Sequence, residues 1–226
     1  HFTDDVNAIP ASFKDKHTTL VVYTPAVPKD HKELNYFQQN GYEVVKRSEV
    51  LGFITKNTFC LAVAGTHGKT TTSSILAHLL VEAGASVSAF LGGIAENFNS
   101  NLVLKGSEYT VAEADEFDRS FLRLSPNIAC ITSMDADHLD IYGDKQHLIE
   151  GFREFAGKIK PGGSLIVRNG LDIEGETYGL EDNADYTFQN ITVKNGIYHF
   201  DFHYKGGVYK DYTLLKPGRH NLLNAL

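Results

Sequence analysis

Up to about residue 185, short apolar runs alternate along this chain with stretches of helical period; beyond that point the pattern changes. Apolar runs of four to six residues suit strands buried on both faces, and apolar residues three and four apart suit helices. The pattern predicts a strand at 19–23, a helix over 31–40 closed by Gly41, a strand at 42–46 and a short helix from Ser48 to about Lys56. A strand at 59–64 follows, then a helix over 70–83 with Ile75, Leu76, Leu79, Leu80 and Ala83 at helical spacing and Gly84 closing it. Strands are predicted at 86–91, 109–113 and 128–132, and the polar stretch 95–108 reads as loop. Asp144 is placed to cap a helix running to about Lys158, with Leu148, Ile149, Phe152, Phe155, Ala156 and Ile159 as its apolar face. Pro161-Gly162-Gly163 turns into a strand at 164–168. From 185 to 215 the residues are β-branched and aromatic, broken by Asn195-Gly196 and Gly206-Gly207, which predicts a small antiparallel subsheet. Pro217-Gly218 ends it, and a helix starts near Asn221. Strands alternating with helices imply an α/β fold around a parallel sheet, and Lys56-Asn57-Thr58 is the candidate boundary between two domains, 1–56 and 57–226.

The chemistry of the chain centres on Ala64-Gly-Thr-His-Gly-Lys-Thr-Thr-Thr72, between the strand at 59–64 and the helix after it. Gly65 and Gly68 let backbone N–H groups turn toward an anion without a Cβ in the way. The helix aims its free N–H groups and the positive end of its dipole at the same point. Lys69 adds a mobile charge for terminal phosphate oxygens, and the Thr70 hydroxyl is placed for Mg²⁺. The general phosphate loop has a glycine five residues before Gly68, where this chain has Val63, so the loop here is the shorter Gly-x-x-Gly-Lys-Thr.

Two later strand exits carry polar clusters, and in a parallel sheet these converge with the loop at the carboxyl ends of the strands. Glu113-Ala-Asp-Glu-Phe-Asp118 follows the strand at 109–113, and Asp135-Ala-Asp-His-Leu-Asp140 follows the strand at 128–132. Glu113 is placed to hold Mg²⁺ directly or through water, with a solvated acidic loop as the alternative. The His138 imidazole can ligate a divalent ion while a carboxylate orients its second nitrogen; otherwise it is an exposed loop histidine. Gly-x-Ser-x-Gly, His-Glu-x-x-His, paired Cys-x-x-Cys and Gly-x-Gly-x-x-Gly at the loop are absent from the sequence.

Composition narrows the classes further. With 226 residues and 42% of them hydrophobic, the chain can bury a substantial core, and no apolar run approaches a membrane span. The net charge is −7; residues 1–56 carry seven of each sign, so the rest carries 14 basic against 21 acidic residues, which argues against sequence-independent nucleic-acid binding. Cys60 and Cys130 lie in apolar strand-like runs and read as buried thiols.

The chain resembles the Mur ligase family of ATP-dependent amide-forming enzymes. The matching residues are the Gly65–Thr70 loop, Leu91-Gly-Gly93, Ala112-Glu-Ala-Asp-Glu-Phe-Asp-Arg-Ser-Phe121, Asp137-His-Leu-Asp-Ile-Tyr142 and Gly218-Arg-His-Asn-Leu-Leu-Asn-Ala225. The resemblance implies a P-loop-type central sheet flanked by helices, preceded at 1–56 by the βαβα tail of a Rossmann-like domain that holds a UDP-linked substrate. Residues 57–226 would be the central ATP-binding domain, and a chain running from His1 to Leu226 would lack the C-terminal amino-acid domain and the start of the first. The implied activity is peptidoglycan precursor synthesis in the cytoplasm, joining L-alanine to the carboxylate of UDP-N-acetylmuramate through an acyl phosphate, with ATP and Mg²⁺. Alternatives are a tripeptide-recycling ligase of the same branch, a nucleotide-binding module without chemistry, and a small-molecule kinase. By the same resemblance Gly65, Thr66, His67, Gly68, Lys69, Thr70 and Thr71 bind the ATP phosphates, and His220, Asn221 and Asn224 lie on the adenine side. Thr70 and Glu113 hold one Mg²⁺, His138 a second, and Lys69, Glu113 and His138 are the catalytic set. Ile149-Glu-Gly-Phe152 has no lysine where related ligases carry a carbamylated one, so none is expected here.

Overall fold

The computed structural model describes residues 4–135, 145–181 and 183–226. It divides into two compact units, His1–Ile54 and Thr55–Leu226. In the first, β1 (Leu20–Tyr23) and β2 (Glu43–Lys46) pair in parallel, joined by α1 (Lys32–Gln39). The His31 ring nitrogen caps α1 by accepting from the Leu34 N–H at 3.4 Å, and Phe37 meets Tyr42 edge-on at 4.9 Å. α2 (Arg47–Asn57) follows β2, completing the expected βαβα order, and the division between the units falls within this helix.

In the second unit the described residues form one ten-stranded sheet. Its core is parallel: β4 (Val87–Ala95), β6 (Tyr109–Ala114), β3 (Phe59–Ala64), β7 (Ile128–Ile131), β8 (Ser164–Arg168), β9 (Glu176–Gly179) and β10 (Tyr186–Lys194), in that spatial order. Antiparallel strands finish both edges, β5 (Ser100–Leu104) beside β4, and β11 (Ile197–Tyr204) with β12 (Gly207–Leu214) beside β10. The central strand is β3, whose apolar run is buried at Cys60 and from Ala62 to Ala64. β3 lies between β6 and β7, so the chain crosses from one side of it to the other, and this is where a parallel sheet opens a crevice at its carboxyl edge.

α3 (Lys69–Glu82) packs Ala77, Leu76 and Leu80 into a cluster with Val87, Ala89 and Val111. Leu79, counted with the apolar face in the sequence, is 57% exposed. α4 (Lys145–Ala156) buries Leu148, Phe152 and Phe155; Phe155 stacks on Phe121 of the 3-10 turn Phe117–Arg123 at 5.2 Å. The Asp144 cap lies outside the described residues. α5 (Arg219–Ala225) closes the chain, and its Leu222 packs on Phe188 and Phe200 of the antiparallel end. Burial pushes both cysteine thiols up to about 12, and both are free. No helix among the described residues is long and apolar enough to cross a membrane.

The structure departs from the sequence pattern in two places. The stretch read as loop at 95–108 contains β5, which buries only Val103; an edge strand with one buried residue leaves no alternation to read. The expected antiparallel subsheet forms from β10, β11 and β12, and the four-residue β9, paired with both β8 and β10, joins it to the parallel sheet. The turn between β11 and β12 sits at Lys205-Gly206, with φ of +47° and +78°, one residue before the glycine pair that marked it.

Candidate functional site

The loop from Gly65 to Gly68 leaves β3 at the carboxyl edge and enters α3, with Gly68 as the N-cap residue at φ +85°. The first turn of α3 has no intrahelical acceptors for its leading N–H groups, from Gly68 through Thr71. These amides and the helix dipole form the anion-facing part of the cradle. The amides of Thr66 and His67 are used differently. Thr66 N–H donates to the Ser133 carbonyl at 3.3 Å and His67 N–H to the Ser133 hydroxyl at 2.8 Å. The Thr66 hydroxyl lies 2.8 Å from Ser133 Oγ and accepts from the Asp135 N–H at 3.1 Å, while Thr132 Oγ1 donates to the His67 carbonyl. The segment after β7 therefore clamps the loop. Gly65 is pressed into that clamp at φ +135°, and a Cβ there would lie 2.2 Å from Thr132 Oγ1.

Lys69 turns back over the loop. Its ammonium donates to the Gly65 carbonyl at 2.6 Å and to both carboxylate oxygens of Glu116, at 3.0 and 2.8 Å. Glu116 is fully buried and the Lys69 side chain is 13% exposed. Beside this pair, Thr70 Oγ1 donates to Glu113 Oε1 at 2.8 Å, and the Gly92 N–H donates to Glu113 Oε2 at 2.6 Å. A Cβ at Gly92 would lie 2.5–2.8 Å from three atoms of that carboxylate, so glycine is what lets Glu113 reach Thr70. β3 and β6 are in register, Val63 opposite Glu113, which brings both exits to the same level.

Asn224 of α5 reaches the loop from the other side, its Oδ1 2.6 Å from where a Cβ of Gly68 would stand. Asn221 is buried and donates its amide to the Pro217 carbonyl at 2.5 Å, which fixes the start of α5. His220 is exposed and packs on Gly218. His67 and Asp135 are both exposed, 3.9 Å apart. His138 lies outside the described residues.

The structure thus brings together Gly65, Gly68, Lys69, Thr70, Glu113 and Asn224. Four further participants, Gly92, Glu116, Thr132 and Ser133, were not singled out as site residues by sequence reasoning. Gly92 and Glu116 stand inside the motifs of the resemblance and Ser133 lies two residues before the cluster at 135–140, but their partners are distant in sequence, so spacing could not pair them.

A family model described as the Mur ligase middle domain matches residues 63–226. The chain belongs to the Mur ligase family. It is 55% identical to the UDP-N-acetylmuramate–L-alanine ligase of Christiangramia forsetii and 57% identical to that of Flavobacterium psychrophilum. Each alignment covers 100% of this chain and 50% of the relative, so the chain spans about half the length of the curated relatives it matches. Among solved structures, the UDP-N-acetylmuramate-alanine ligase of Thermotoga maritima is similar at 28% identity and a TM-score of 0.76, over 91% of this chain and 48% of that one. In this Mur ligase chain the Thr70 hydroxyl and Glu113 carboxylate are hard oxygen donors side by side, and Mg²⁺ is commonly held by one or two such groups with phosphate and water completing its shell. Among the described residues no group of three or more His, Cys, Asp or Glu side chains is arranged to hold a metal. The Thr70–Glu113 donor pair fits an ion shared with a phosphate ligand.

Proposed function

We propose that this chain is the nucleotide-binding core of an ATP-dependent ligase that joins L-alanine to the carboxylate of UDP-N-acetylmuramate. The observation that carries the reading is the phosphate loop with Lys69 above it and the Thr70–Glu113 pair beside it, in the crevice at the carboxyl ends of β3 and β6. The substrate part of the reading is supported by relatives of that name at 55% and 57% identity over the whole chain. Residues 1–56 would be the end of the domain that holds the UDP portion, with the work done in the cytoplasm.

In this reading the α3 amides and Lys69 grip the β- and γ-phosphates. Thr70 and Glu113 would hold Mg²⁺, which when bound supplies positive charge against the phosphates. The substrate carboxylate oxygen attacks the γ-phosphorus and ADP leaves; the alanine amine then attacks the acyl carbon, losing a proton as inorganic phosphate departs. A carboxylate is a poor electrophile until its oxygen becomes a good leaving group, and two anions approach only where fixed donors and cations offset their repulsion. The test is phosphate release by the full-length protein, supplied with UDP-N-acetylmuramate and one amino acid or peptide at a time. Release that requires L-alanine is expected. Release with a tripeptide alone would move the assignment to a recycling ligase, and release with no amine would move it to another phosphoryl-transfer chemistry.

Gly92→Ala tests the metal half of the site. The added methyl drives the Glu113 carboxylate off Thr70, yet the displaced atoms are the end of a flexible side chain, so the fold should tolerate it. Losing a hydrogen bond that orients a metal ligand typically costs 10–100-fold in metal affinity. The Mg²⁺ concentration giving half-maximal turnover is expected to rise by at least about tenfold, with the melting temperature within a few degrees of wild type; an unchanged Mg²⁺ titration would remove Glu113 from the metal site.

A further inference from the structure

The Lys69 ammonium has three N–H donors, and three acceptors stand around it: the Gly65 carbonyl and both oxygens of Glu116. The Gly65 carbonyl and the Glu116 carboxylate, met through both its oxygens, thus hold the ammonium from two directions. Its charge is also balanced at close range by a carboxylate buried beneath the loop.

We propose that Glu116 is the resting counter-ion of the phosphate loop: it competes with nucleotide phosphate for Lys69, and so sets how tightly the nucleotide binds. The inference rests on the reading of the loop as a nucleotide cradle. On binding, the ammonium's charge is drawn from the Glu116 carboxylate toward a phosphate oxygen, while its bond to the Gly65 carbonyl keeps it over the loop. Glu116 is thus a positioning residue that acts through Lys69. It discriminates by charge: a ligand anion must outbid a buried carboxylate, which a polyphosphate can do and a singly charged anion cannot.

The experiment is ATP binding by calorimetry on the full-length protein, in EDTA and again with Mg²⁺, at two ionic strengths. Glu116→Gln keeps the shape and one acceptor oxygen but removes the charge. It is expected to tighten ATP by at least about tenfold in EDTA, with a steeper salt dependence, because a charge that opposes the phosphates and neutralises Lys69 is gone. A purely structural role would instead weaken binding in step with a lower melting temperature. In a Lys69→Met background the gain from Glu116→Gln should shrink several-fold; an equal gain there means plain repulsion between Glu116 and phosphate, and overturns the competition. Glu116→Asp decides the matter should Lys69→Met not fold. Retracting the carboxylate while keeping its charge should give most of the Glu116→Gln gain under competition, because the short contact to Lys69 is lost, and only a small part of it under repulsion, which changes little over one methylene. If the wild-type protein binds no ATP, the nucleotide reading fails and takes this inference with it. If it binds ATP and Glu116→Gln does not bind tighter, only the competition is lost.

Discussion

Gly65→Ala is expected to lose nucleotide binding and to melt ~5–20 °C below wild type. Two costs add at this position. The backbone sits at φ +135°, a region L-residues rarely adopt, and holding a non-glycine residue there costs about 1–3 kcal/mol. The new Cβ would also stand 2.2 Å from Thr132 Oγ1, 2.8 Å from the Ser133 nitrogen and 3.1 Å from the Ser133 oxygen. Two of those atoms are backbone, and they cannot step aside independently. Thr132 N–H is tied to the Ala64 carbonyl at 2.9 Å and the Ser133 carbonyl to Thr66 N–H at 3.3 Å. Overpacking against such neighbours costs about a further 1–3 kcal/mol, and any relaxation moves the loop out of its cradle shape. Gly196→Ala is the control. That glycine also has a positive φ, +79°, but nothing lies within 4 Å of its Cβ position, so only the smaller backbone cost applies. Thermal melts of both variants with nucleotide titrations check the comparison; equal shifts in the two would show that the clamp from Thr132 and Ser133 carries no weight.

What the sequence made legible follows from how far apart the partners lie. The strand–loop–helix from Phe59 to Glu82 is encoded within a few turns of chain, and apolar run, glycines, lysine and threonine all point the same way. Glu113 was legible for a related reason: a carboxylate at the end of a buried strand has few other places to go. The hairpin at Asn195-Gly196 is equally local, and both residues take the positive φ such a turn needs. Glu116 is different. Nothing near it in sequence separates it from Asp115 as a solvated acid, and only the fold carries Lys69, 47 residues away, onto its carboxylate. Gly92 is read correctly only once Glu113, 21 residues on, is seen lying against it. Asn221 shows the converse. Its side chain is spent on the Pro217 carbonyl, a capping role the local sequence suggests, while Asn224 alone of that helix's polar residues meets the loop glycine. β9 was illegible because Glu-Thr-Tyr-Gly is too short and too polar to show a period, and its place in the sheet comes from β8 and β10 on either side.

Lys69→Ala is expected to lower phosphate release by the full-length protein by about 10²–10³-fold, the usual cost of deleting a preorganised charge from a transferring group. The loss has two possible origins, and the pairing with Glu116 allows them to be separated. Removing the ammonium takes the cation from a fully buried carboxylate, which in comparable pairs destabilises the fold by about 3–5 kcal/mol. A protein weakened that far can lose activity by unfolding, with no bearing on phosphate chemistry. In Lys69→Ala/Glu116→Gln the buried charge is gone as well, so most of the lost stability should return, because neighbouring substitutions that share one interaction are not additive. Turnover should not return with it, since no ammonium is left to meet the γ-phosphate. Melting temperature and phosphate release measured on the two single variants and the double variant therefore give a pattern with one reading: stability recovers and catalysis does not. Recovery of both would make Lys69 a structural partner of Glu116 and nothing more, and near-normal turnover in Lys69→Ala would dismiss the phosphate-loop assignment altogether.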